Sequence, residues 1–190
     1  MFDRFKELVT LTILRPAEAI GQIVAMQLPT RISWPVLVLG VMLSTLAIFS
    51  RALLNPVELL PGVLFLDVVT PFGLFVTMTI VASTTAALLT MSGRQLGGQG
   101  SFAVVLSYVA WLQVMRAVVE FAGLILSLVS SELAIIGINL AGLYAIWIIL
   151  QFQKVAHGFE NAGRAFGSLI LSFVGILVVI SLLVAPFISV

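Results

Sequence analysis

Phe102–Ser130 reads FAVVLSYVAWLQVMRAVVEFAGLILSLVS, an almost wholly apolar run interrupted near its middle by Gln113, Arg116 and Glu120. It is longer than the roughly 20 residues a helix needs to cross hydrocarbon. The sequence therefore predicts a transmembrane helix that tilts, kinks near Gly123 or begins with an interfacial segment. The three polar residues fall at i, i+3 and i+7, so a helix sets them on one face. Arg116 and Glu120 stand one turn apart and able to pair, and Ser127 continues the face. Ionisable groups at that depth are costly and mark a functional-site candidate.

The rest of the chain has the same character. Of 190 residues, 61% are hydrophobic and only 9% charged, with a mean hydropathy of +1.24. Eight acids and nine bases cannot cover the surface of a soluble domain of this length. The expected fold class is all-α, a polytopic integral membrane protein. A net charge of +1 sets up no field for nucleic acid. Cysteine is absent, which removes disulfides, thiol catalysis and thiolate metal sites. The first apolar run long enough to act as a signal begins only at Trp34, so no cleavable signal is expected.

Residues 1–32 read as an amphipathic interfacial arm. Phe2, Phe5, Val9 and Ile13, then Ile20, Ile23, Val24 and Leu28, recur at helical spacing among Asp3, Arg4, Lys6, Glu7, Arg15 and Glu18. Pro16 suits the first turn of a second short helix. Such an arm anchors at the membrane surface and packs on the spans, or binds a partner or lipid. Residues 33–190 read as a five-helix transmembrane domain, with spans at about 33–54, 72–91, 102–130, 133–152 and 165–185. Trp34 and Arg51 suit the two ends of the first span, Arg51 snorkelling outward. A loop with Pro56, Glu58, Pro61 and Asp67 follows, its Val63–Leu66 apolar enough to dip into the interface. The hydroxyls of the second span, Thr77, Thr79, Ser83, Thr84, Thr85 and Thr90, are expected to face the polar stripe of the third. The glycine-rich loop 92–101 lacks a Walker lysine and follows a membrane helix, so it reads as a tight turn and not a nucleotide cradle. In the fourth span Gly137, Ala141 and Ala145 recur every four residues, a small-residue stripe for helix packing, with Asn139 beside it. Ser168, Ser172 and Gly175 form a similar seam in the fifth.

Arg4, Lys6, Arg15, Arg31, Arg94, Lys154 and Arg164 fall on one side of these spans and Arg51 alone on the other. The positive-inside rule then puts the N-terminus in the cytoplasm and the C-terminus outside. The single histidine, His157, shares a predicted loop with Glu160; two ligands do not complete a metal site, and a juxtamembrane surface histidine is the plainer reading. No catalytic set emerges, so no enzyme, cofactor or metal is expected. Gln113, Arg116 and Glu120 remain. They read either as a neutralised pair that fixes helix register or holds a neighbour, or as a relay in which Glu120 titrates.

Leu14-Arg15-Pro16 in the arm, Gly97-Gly98-Gln99-Gly100-Ser101-Phe102 opening the third span, Leu143-Tyr144 in the fourth and Ala156-His157-Gly158-Phe159 after it resemble bacterial members of the Yip family. The resemblance covers most of the chain and implies a five-helix membrane protein without catalytic residues. Eukaryotic members bind Rab-type GTPases through an Asp-Leu-Tyr-Gly-Pro motif before the first span. Here that region is Arg31-Ile32-Ser33-Trp34-Pro35 and keeps no acid, a departure from the motif on which the implied GTPase binding rests. The reading is a non-enzymatic protein of a bacterial inner membrane that organises membrane or serves as accessory or scaffold subunit of a complex. Its expected partners are membrane lipids and other membrane proteins or itself, without nucleic acid or nucleotide. The alternative is a small transporter or channel component using the Arg116–Glu120 pair.

Overall fold

The computed structural model describes residues 2–188, with side chains for 3–181. It is an all-α polytopic membrane fold. Eight helices run in the order α1 (Phe2–Leu14), α2 (Pro16–Ala25), α3 (Thr30–Leu54), α4 (Phe65–Val68), α5 (Pro71–Gln95), α6 (Phe102–Ser127), α7 (Ser131–His157) and α8 (Ala162–Ile188). Between α3 and α4 lies one hairpin, β1 (Glu58–Leu60) and β2 (Val63–Leu64). Five helices, α3 and α5 to α8, are long and apolar enough to cross a membrane.

Local chemistry sets where these helices begin. The side-chain oxygens of Thr70, Ser101, Ser130 and Asn161 accept the backbone N–H three residues on, from Gly73, Val104, Leu133 and Arg164. Each satisfies a donor that the first helical turn leaves unpaired. Four spans extend further than expected, among them α3, which begins at Thr30, and α8, which begins at Ala162. Helix α5 continues through Ser92–Gln95, and α7 continues through Gln153–His157, so the polar loop predicted from Gln153 narrows to Gly158–Asn161. Gly158, at φ 66°, ends α7, and the Phe159 N–H returns to the Lys154 carbonyl at 2.9 Å. Helix α6, by contrast, stops at Ser127, three residues short of the predicted end.

The chain packs as two units. The first comprises residues 1–30, 83–108 and 148–190. Here α1 packs on α2, whose Ala19, Ile20 and Ile23 are buried. In α1 the buried residues are Leu8 and Thr12, while Phe5 and Ile13 of the predicted apolar stripe are exposed. The Thr12 hydroxyl tolerates burial because it donates to the Leu8 carbonyl at 2.7 Å. The α8 seam packs as its small residues suggest: a Cβ on Gly175 would stand 2.9 Å from Leu88 of α5.

The second unit comprises residues 31–82 and 109–147. Gly40 lets α3 approach α6 closely, since a Cβ there would come within 2.8 Å of the Gln113 carbonyl carbon. The segment after α3, expected as a loop, forms the hairpin instead, turning at Gly62 with φ 78°. Phe65 then rests against Phe49 of α3, ring centroids 5.5 Å apart.

Candidate functional site

Two buried polar clusters stand out, one in each unit. In the second unit Glu120 is the focus, its side chain only 8% exposed. Arg51 of α3 donates from Nη1 to Glu120 Oε2 at 3.1 Å, and Arg116, one turn earlier on α6, holds its Nε 4.0 Å from Oε1. Arg116 also directs Nη1 at the Met78 sulfur of α5, 3.3 Å away. The nearest cation to Glu120 is therefore Arg51, which the sequence reading sent outward to snorkel. Gly123 is what allows it. This glycine leaves space that a Cβ would take, 3.2 Å from Arg51 Nη1 and in collision with Ile138 of α7. Gln113, one turn before Arg116, is half-buried where α6 crosses Gly40. The α5 atom beside Arg116 is thus a thioether sulfur, while Thr79 and Thr90 donate back to the Phe75 and Ala86 carbonyls of their own helix.

On α7, Ala134, Ile138, Ala141, Ala145 and Ile148 form the face turned inward, at alternating spacings of four and three. Ala141 and Ala145 belong to it. Gly137 and Asn139 do not, and both are exposed. Asn139 lies among Ile135, Ile136, Leu140 and Leu143, each more than half exposed.

The first unit holds the cluster that sequence reasoning missed. Gln153 is fully buried, its amide donating to the Leu89 carbonyl at 2.9 Å and to Ser168 Oγ at 2.7 Å while its oxygen accepts from the Tyr108 hydroxyl. Ser168 Oγ lies 2.7 Å from Ser92 Oγ, which also meets Ser172 Oγ at 2.9 Å. Five side chains of α5, α6, α7 and α8 thus satisfy one another. A turn further along α7, His157 is 1% exposed and not at a surface. Its Nδ1 accepts the Gly100 N–H at 3.2 Å and its carbonyl the Gln99 N–H at 3.0 Å, and Phe159 stacks on its ring. Because Nδ1 accepts, the ring proton belongs on Nε2. Gly93, Gly98 and Gly100 form the cradle, and a Cβ on any of them would run into the imidazole. Arg94 closes the loop by donating from Nε to the Gly100 carbonyl at 3.1 Å. The signal available was the placement of three glycines opposite a lone histidine, but nothing in spacing says that positions 57 residues apart meet.

Among the described residues, no three His, Cys, Asp or Glu side chains gather where a metal could sit. The two landmark motifs, 97–102 and 156–159, are one structural object: the loop is the cradle and the histidine its filling. Comparison with protein-family models matches residues 10–183 to the Yip1 domain. The chain belongs to the Yip1 domain family. No curated protein and no solved structure matches it. Within this Yip1 domain the glycine loop and His157 join the turn before α6 to the end of α7, and the Glu120 cluster ties α3 to α6.

Proposed function

We propose that this Yip1-domain protein is a non-enzymatic component of a bacterial inner membrane, organising membrane or serving as an accessory or scaffold subunit through lateral contacts of its helices. The observation that carries the reading is Asn139. It is an amide on the exposed face of a spanning helix, surrounded by exposed Ile135, Ile136, Leu140 and Leu143. Facing lipid, an amide has no hydrogen-bond partner; facing another helix, it supplies about 0.6–2 kcal/mol of association and a register. Helix α7 is the least buried of the five spans, which leaves that face open to a second copy or another membrane protein.

The charge distribution supports an N-terminus in the cytoplasm and a C-terminus outside. A relay through Glu120 is the less favoured reading, because two guanidinium groups engage that carboxylate from two helices and hold it in place. The test is cross-linking and light scattering of the protein in mild detergent. Asn139→Leu is expected to weaken self-association, or recovery of the co-purifying membrane protein, by about three- to thirty-fold. Unchanged association would overturn the reading.

A further inference from the structure

The charges of the Glu120 cluster do not cancel. Arg51 and Arg116 bring two positive charges, and Glu120 supplies one negative charge. Arg51 has the short contact. Arg116 is left with a 4.0 Å approach to the second carboxylate oxygen and a thioether sulfur, a weak acceptor, for a group that carries five N–H donors. Its side chain is 39% exposed, so it is open in part to what surrounds the helices. The Gln113 amide, one turn earlier on the same face, has no hydrogen-bond partner among the described residues. An excess cation inside a span is held only where an anion or water reaches it.

We propose that Arg116 and Gln113 bind one oxyanion of the phosphate class, which completes a set of two cations and two anions. A guanidinium presents paired N–H groups that match a phosphate in bidentate fashion, and a neighbouring amide adds a third donor. Arg116 lies eleven residues before the end of α6 at Ser127, about 16 Å of helix, and its side chain reaches along the helix toward that end, to Glu120 one turn on. A phospholipid phosphate drawn into the membrane at that face meets the Arg116 donors as the long side chain extends toward the interface; a free phosphate offers the same chemistry from solution. The proposal stands apart from the association through α7, since it uses neither Asn139 nor a second protein.

The test uses the full chain, delipidated in a maltoside detergent. Retained phospholipid is counted by native mass spectrometry after adding phosphatidylglycerol, a phosphate-free glycolipid, or inorganic phosphate alone. The wild type is expected to retain one phosphatidylglycerol and no glycolipid, and Arg116→Gln to retain about tenfold less. Arg164→Gln, which removes an exposed arginine outside the cluster, should leave retention unchanged. Glu120→Gln raises the excess charge and should tighten binding, a change of opposite sign that unfolding cannot mimic. Protection by inorganic phosphate that is lost in Arg116→Gln would assign the site to a soluble anion. Equal retention by wild type, Arg116→Gln and Glu120→Gln would overturn the proposal. So would capture of a partner protein's carboxylate at Arg116 with no phosphate bound.

Discussion

The imidazole Nδ1 of His157 accepts a 3.2 Å hydrogen bond from the backbone N–H of Gly100, and a Cβ on Gly100 would overlap the same ring. The bond and the missing side chain depend on each other: only a residue without a Cβ brings its N–H this close to a fully buried ring. Gly98→Ala and Gly100→Ala should each lower stability by about 1–3 kcal/mol, the range for overpacking a tight interior. His157→Ala in the same chain should restore part of that loss by emptying the cradle. Thermal unfolding of the four variants in detergent checks both signs; a His157→Ala background that makes either glycine substitution worse would contradict the packing described.

Glu120 has a near partner and a far one. Arg51→Leu should therefore destabilise more than Arg116→Leu, by about 3–5 kcal/mol at most, because it removes the 3.1 Å contact and leaves a buried carboxylate beside one distant cation. Arg51→Leu combined with Glu120→Leu should recover much of the loss. A double-mutant cycle on unfolding in detergent measures the coupling, and equal effects of the two arginine substitutions would show that the 4.0 Å approach matters as much as the shorter one.

Gln153→Leu is close to the original in volume but strips partners from the Tyr108 hydroxyl, Ser168 Oγ and the Leu89 carbonyl. Ser168 keeps Ser92, and the Leu89 carbonyl keeps the Ser92 hydroxyl, so the group left orphaned is the buried Tyr108 hydroxyl, at a cost of about 1–3 kcal/mol. The expected outcome is a larger loss of stability than in Ser172→Ala, where Ser92 keeps its contact with Ser168. Hydrogen exchange of the residues around Leu89 should rise in the first variant and not in the second.

A reporter active only in the cytoplasm should give signal when attached before Met1 and none when attached after Val190. Seven basic residues on one side against Arg51 on the other motivate this assignment. Strong signal from the C-terminal fusion would invert the topology and move the Glu120 cluster to the cytoplasmic half.

Much of the architecture was legible because it needs only composition and length. Five apolar runs, broken by Pro71, the 97–100 glycines, Ser130 and Gly158, become five helices because hydrocarbon leaves an isolated segment no other way to satisfy its backbone. Boundaries were less legible. Gln153 to His157 is polar enough to read as loop, yet it stays helical because Gln153 and His157 find buried partners that no local pattern shows.

By itself the sequence determined an all-α polytopic protein and placed Gln113, Arg116 and Glu120 on one face of one helix, since a helical repeat fixes what residues of the same helix share. It could not assign Arg51 to Glu120, because that contact depends on how closely two helices 69 residues apart approach and on the space Gly123 leaves between them. The same holds for His157. Local periodicity records the order of side chains along a helix, whereas the partner of a buried charge or ring is decided by packing between helices, and that exists only once the chain has folded.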